Sequence, residues 1–406
     1  MTRRLDFPVF NADNHMYEAT DAFTKYLPPE YENVIKYVEI KGRTKIAVNN
    51  KISDYIPNPT FNVVAPPGAQ ELEFKLKNPD SMTAADKDAK LEPPPRYIQS
   101  MPAFFEPEAR VVLMDELGID RAMMWPTLAS LLEERLADDP VATHVVVHAF
   151  NQWMHEQWTF NFDDRIFPTP VITLPIVDRA IEELEWVIEH GAKAILIRPA
   201  PVPDFGGRRR SFALEEFDPF WKRVEEADIL VGMHASDDGH QRYLNEWEGH
   251  TGEFLPFKQK ISGFSALMHA DNRVISDVVA SIVGHGLATR FPSLRIMPVE
   301  NGSSWVRPLV EKFQKVYART PGAFDEDPMV AFKRCLYIHP FHEEDPVGLV
   351  NLIGADNVLF GSDYPHPEGM YDPVSFVDQL DGLAEDDKAK IMGGNLARII
   401  KLNVAA

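Results

Sequence analysis

Short runs rich in β-branched and aromatic residues recur along the chain, each followed by a longer amphipathic stretch, and this alternation restricts the fold most. The runs are Phe7–Asp13, Ile119–Trp125, Thr169–Leu174, Ala192–Ile197, Ile229–His234, Leu294–Val299, Cys335–Ile338 and Val358–Ser362. Helical periodicity falls at Pro107–Leu117, Val141–Asn161, Arg179–His190, Glu215–Ala227, Ile275–Arg290, Ser304–Ala318 and Pro346–Ile353, and again at Pro373–Leu383 and Asp386–Leu402. Eight such units predict an α/β protein with a parallel sheet closed into a (β/α)8 TIM barrel. Its 406 residues suit one domain, 1–406, carrying long insertions. Two stretches break the repeat: 26–103, rich in Pro, Lys and Asn, and 235–271. Both follow strand C-terminal ends, so the first is expected to cover the barrel mouth and the second to form an active-site loop.

A net charge of −21 repels phosphate backbones and anionic membranes, which argues against nucleic acid and membrane partners. No run reaches the roughly 18 apolar residues of a membrane span. The start, MTRRLDFPVF, lacks the apolar run of a signal peptide, and the single cysteine, Cys335, cannot form an intrachain disulfide. A cytoplasmic setting is expected. Cys335 is read as a small apolar residue opening a buried strand.

Chemistry-bearing residues gather at the predicted strand ends. Asp13 and His15 stand two apart at the end of the first run, where side chains share a face and can share one ion; Glu18 either reaches that site or caps a neighbouring segment. His234 ends the fifth run, Glu300 the sixth, and Asp363 follows the eighth in Gly361-Ser362-Asp363-Tyr364-Pro365-His366. An acid placed like Asp363 can ligate a metal and also take a proton from attacking water. His366 is expected behind the ligands or at the entrance. Arg198 closes the fourth run and can grip a substrate carboxylate or pair with one of many acids. His339 and His342 follow the seventh run and face the same barrel end, and His269 can return to the pocket from the second insertion. His285 is read as structural. The basic turn Gly206–Arg210 is read as solvated.

Four stretches together resemble the amidohydrolase superfamily, in the branch similar to aminocarboxymuconate semialdehyde decarboxylase. They are Asp13–Glu18, Gly286–Arg295, Glu300–Val306 and Leu359–His366. The resemblance implies a divalent ion at the barrel mouth, which activates water or polarises a substrate carboxylate. Asp13, His15, His234, Glu300 and Asp363 are its candidate ligands, with Asp363 and Glu300 catalytic. Where many members of the branch have His-x-His this chain has Asp13-x-His15, and where a sixth-strand histidine is common it has Glu300. The carboxylate-rich set favours Mn or Fe over Zn and leaves room for one or two ions per chain.

The leading expectation is therefore a metal-dependent hydrolase or decarboxylase of a small carboxylated or cyclic substrate. A dinuclear iron or manganese–iron hydroxylase of a small amino or organic acid, and a non-catalytic partner subunit with a structural metal, are the alternatives. A homo-oligomer, or pairing with a related subunit, is expected.

Overall fold

The computed structural model describes residues 3–53, 55, 57–82, 86–87, 91–129, 132–249, 262–270 and 272–402. Strands β1 (Phe10–Met16), β2 (Arg121–Pro126) and β3 (Ile166–Pro168) pair in parallel in that order. Strands β4 (Ala194–Leu196), β5 (Leu230–His234) and β6 (Ile296–Val299) form a second parallel run. Single parallel bridges join the remainder: Val171 to Leu196, Ile296 to Leu336, Ile338 to Val358 and Asn14 to Tyr364. The last bridge returns the eighth segment to the first, so the sheet closes as a TIM barrel.

The first strand lies three residues later than Phe7–Asp13, the eighth is held by single bridges, and the third and seventh differ more. The third pairs upstream of Thr169–Leu174, at Ile166–Pro168, because Pro170 has no N–H for a ladder. Thr169 and Ile172 still donate to Met124 and Leu196 on either side of it. Cys335 ends a helix, Pro328–Cys335, instead of opening a strand; Asp327 accepts the Met329 N–H and so starts that helix. The thiol is buried all the same, and burial pushes it up to about 12.

The pairing register slips between Asn11 and Asn14, where three steps of β1 face two of β2, which is a bulge at the ligand-bearing end of the strand. Its loosened backbone groups are satisfied locally. Asn11 Oδ1 accepts the Asp13 N–H at 3.0 Å, and the Trp125 indole N–H donates to the Ala12 carbonyl at 2.8 Å. Trp125 is fully buried and crosses the barrel beneath His234, its ring centroid 5.5 Å from the imidazole. Only a glycine at 232 allows this, since a Cβ there would stand 2.1 Å from the indole.

Within 26–103, Ile35–Ile40, Arg43–Val48 and Lys51–Ser53 form an antiparallel sheet. Its hairpin turns, Lys41-Gly42 and Asn49-Asn50, hold positive φ at both central residues, the geometry that matches strand twist. A helix, Ala69–Lys77, follows, and Gly68 and Gln70 donate to the carbonyls of His366 and Pro367 at the mouth. Within 235–271 lie helices Gln241–Glu248 and Gly263–Ala270; residues 250–261 and 271, and the side chain of His269, are outside the described residues. No described helix is long and apolar enough to cross a membrane.

Gly232→Ala should therefore displace Trp125 and cost about 1–3 kcal/mol of folding stability, the usual range for overpacking. Urea unfolding monitored by tryptophan fluorescence measures it. A midpoint equal to that of the parent chain would show that the barrel floor has slack.

Candidate metal centre

At the C-terminal end of the barrel, Asp13, His15 and His234 converge, all at 2% exposure or less. His15 Nε2 lies 3.0 Å from His234 Nε2 and 3.5 Å from Asp13 Oδ1, and His234 Nε2 lies 3.6 Å from the same oxygen. Ligand atoms bound at about 2.0–2.2 Å around one ion stand roughly 3–3.6 Å apart, so the triangle has the size of a coordination sphere.

The tautomers point the same way. The Thr127 hydroxyl donates to the Met16 carbonyl at 2.9 Å and so presents a lone pair to His15 Nδ1 at 3.3 Å. His234 Nδ1 donates to the Ala235 carbonyl at 2.8 Å. Each ring thus spends its N–H away from the cluster, and two Nε2 lone pairs face each other. Neither carboxylate oxygen of Asp13 has a hydrogen-bond partner. Burying such a group uncompensated costs several kcal/mol, which a cation offsets. The residues present fit a divalent ion.

The three groups are perturbed unequally by their surroundings. Burial alone would push Asp13 up, but the close imidazoles of His15, His234 and His339 hold it far below the usual carboxylate range. Burial, helped by His366, keeps His15 neutral. His234 is penalised by burial too, yet Asp13 carries it above its ordinary value.

Asp363 reaches this triangle through one edge, its Oδ1 standing 3.4 Å from His15 Nε2. It groups with His15 and His366, and also with Glu300, His366 and Glu368, one ligand atom of each lying within 4.8 Å of the others in its group. His366 Nδ1 is 2.7 Å from Asp363 Oδ1, and its ring packs on His15 with centroids 4.0 Å apart. Burial raises the carboxyls of Asp363 and Glu300 well above the ordinary range, helped at Asp363 by the charges of Asp13 and Glu368 and at Glu300 by that of Asp363, which favours their neutral forms. Both also adopt left-handed backbone, φ 55° and 53°, a cost that fixed side-chain aim can offset. His339 is buried beside them, Nδ1 3.6 Å from Asp13 Oδ2; a Cβ at Gly361 would meet both side chains below 3 Å.

Other expected site residues lie apart from the cluster. Arg198 is ion-paired with Glu134 and absent from the cavity lining, so the carboxylate it grips is internal. Glu18 Oε1 accepts the N–H groups of Leu128 and Ala129 at 2.7 and 3.1 Å, the capping role the sequence allowed, while its buried Oε2 has no hydrogen-bond partner. His342 pairs with Glu343 at 3.2 Å, away from the cavity. Sequence reasoning missed Glu368, although it stands two residues after His366. It also missed the aromatic wall.

A cavity of about 690 Å³ opens above the cluster, lined by His15, His234, Glu300 and His366 on the barrel side. Tyr17, Tyr55, Phe61 and Tyr97 form an aromatic wall, three of them from residues 26–103. Phe61 stacks on Tyr17 at 4.3 Å with planes 6° apart.

Fold and mouth define an enzyme of the metal-dependent hydrolase and decarboxylase type. The chain belongs to the amidohydrolase family, whose sequence model matches residues 85–402. It is similar to an amidohydrolase from Mycobacterium avium subsp. paratuberculosis K-10, 35% identical with a TM-score of 0.87, over 98% of this chain and 100% of that one. Gamma-resorcylate decarboxylase from Polaromonas sp. (strain JS666 / ATCC BAA-500) is 23% identical over 341 residues, 73% of this chain and 87% of that protein. A shorter match, 23% over 141 residues, covers 31% of this chain and only 36% of 2-amino-3-carboxymuconate-6-semialdehyde decarboxylase from Dictyostelium discoideum. The fold also matches a dihydroxybenzoic acid decarboxylase from Polaromonas sp. JS666, solved with bound manganese and 2-nitroresorcinol. That match has a TM-score of 0.56 and 15% identity over 98% of each chain.

Glu18 gives this region a pH signature. Burial, opposed by backbone N–H groups, pushes its carboxyl up to about 7 from an ordinary 4.5. A folded-state value above the unfolded one means that its stabilising contribution is full below about pH 4.5 and is lost as pH rises through 7. Glu18→Gln should abolish that loss, gaining at most about 3 kcal/mol over the parent at pH 8 and little at pH 5. Denaturant midpoints at the two pH values decide; a gain that does not grow with pH would mean that Glu18 folds as a carboxylate.

Proposed function

We propose that the protein is a divalent-metal-dependent decarboxylase of a small planar carboxylate, with manganese as the working ion held by Asp13, His15 and His234. The observation that carries this reading is the pair of facing Nε2 lone pairs beside the unpartnered Asp13 carboxylate, set in the floor of an aromatic-walled cavity. The decarboxylases named among its relatives agree with it. The bound ion would supply a Lewis acid that holds and polarises the substrate carboxylate.

The chain's own groups do the rest. Tyr17, Tyr55, Phe61 and Tyr97 hold a ring and exclude water. Asp363, neutral through burial and oriented by His366, gives its proton to the ring carbon bearing the carboxylate. The carbon–carboxylate bond then breaks, its electron pair stays with the ring, and carbon dioxide leaves. Asp363 regains a proton from solvent. Glu300, also neutral, donates to a substrate oxygen. Residues 26–103 act as the cover and 235–271 as the mouth loop of one barrel domain.

A second reading, dioxygen-dependent hydroxylation at two ions, is favoured by one observation: Glu300, Asp363, His366 and Glu368 offer a further carboxylate-rich ligand group beside the first.

Carbon dioxide release from a panel of hydroxybenzoates and unsaturated amino carboxylates, with manganese and with or without dioxygen, separates the readings. Asp13→Asn should lose bound manganese and at least about a hundredfold of turnover. Turnover strictly requiring dioxygen would replace the first reading with the second. Full manganese content in Asp13→Asn would remove Asp13 from the ligand set.

A further inference from the structure

Helix α1, Pro107–Leu117, starts where the chain returns from the inserted residues, and it carries one side chain that no part of the reaction above uses. Arg110 is fully buried. Its Nε–H donates to the Ala103 carbonyl at 2.6 Å, one terminal nitrogen to Asn14 Oδ1 at 3.1 Å, and the other to the His15 carbonyl at 2.7 Å. The rings of Phe104 and Tyr364 lie on the cation, each 5.9 Å from it. Among the described residues no carboxylate pairs with it, and burial lowers it to about 10.

A buried cation held only by neutral acceptors is a poor device for stability alone, because no opposite charge offsets its desolvation. What the guanidinium does provide is geometry. Its fork fixes three acceptors in one plane, which a lysine ammonium cannot reproduce. Two of the three belong to the end of β1: Asn14, whose backbone bridges to Tyr364, and His15 itself. The third closes the inserted residues. Tyr364, under the cation, directly follows Asp363. One side chain therefore ties together the segments bearing Asp13, His15 and Asp363 with the return of the cover.

We infer that Arg110 is a positioning residue for the metal centre: it sets the backbone of the His15 ligand and ties to it the return of the inserted residues at Ala103. The inference rests on the proposed metal centre at Asp13, His15 and His234. Arg110 touches neither ion nor substrate, so its effect falls on ligand aim. Groups in this relation to a metal typically govern its affinity by 10–100-fold.

The test measures manganese dissociation constants by equilibrium dialysis on the full chain, with thermal melting of the metal-free protein as the control for folding. Arg110→Lys, which keeps the charge and loses the fork, should melt cooperatively yet bind manganese 10–100-fold more weakly. At saturating manganese, kcat should fall more than KM changes. Asn14→Ala removes a single acceptor and should weaken binding about tenfold, which keeps the test decisive if Arg110→Lys fails to fold. Parent-like affinity in a folded Arg110→Lys, or in Asn14→Ala when the lysine variant is unfolded, would overturn the inference. Absence of manganese binding by the parent chain would instead overturn the metal centre itself.

Discussion

The mouth of the barrel is organised around one electrostatic constraint, a carboxylate with no exposure and no hydrogen-bond donor. Asp13 could lie where it does only with positive charge beside it. Its neighbours have been denied the means of providing that charge as hydrogen bonds, because His15 and His234 direct their N–H groups to Thr127 and Ala235. On the proposed reading, this otherwise unfavourable arrangement is the ligand set of a divalent ion. Both Nε2 atoms and the carboxylate are preorganised at coordination distance, so little reorganisation opposes binding.

Holding that arrangement accounts for several features that would otherwise look like defects of the fold. The bulge in β1 spoils the ladder with β2 but brings Asp13 and His15 to the mouth together. Gly232 leaves a gap in β5 that the indole of Trp125 fills, and the indole N–H then satisfies the bulge. Gly361 clears space for His339 against Asp13. Glu300 and Asp363 accept left-handed backbone at the ends of the sixth and eighth segments. Regularity is given up at five positions within one small region, and the barrel elsewhere over-determines them.

The cavity has a different logic. Its floor is charged and comes from strand ends, while three of its four aromatic walls come from the inserted residues, which dock through Gly68 and Gln70 on the His366–Pro367 backbone. Ring contacts run without a break from Phe61 to Tyr17, His366 and His15. The wall that would select a substrate and the ligands that would hold the ion are thus packed against each other, so a change in the cover reaches the metal site through neighbouring rings.

The sequence by itself determined the barrel and the candidates at its strand ends. Alternating runs and amphipathic stretches encode parallel pairing locally, and a strand ending in Asp13-Asn14-His15 or in His234 announces its polar end whatever the rest of the chain does. Only the tertiary structure decided which candidates meet. Arg198 can be a substrate clamp or an internal ion pair by sequence, and Glu134, sixty-four residues away, is what it meets; Glu18 can reach the site or cap a segment, and the N–H groups of Leu128 and Ala129 engage one of its oxygens. Phe61 and Arg110 carry no local signal, because their importance comes from partners distant along the chain. The physical reason is the range of the forces: periodic patterning is written within a few residues, whereas the pairing of buried charge depends on which segments the closed barrel brings together.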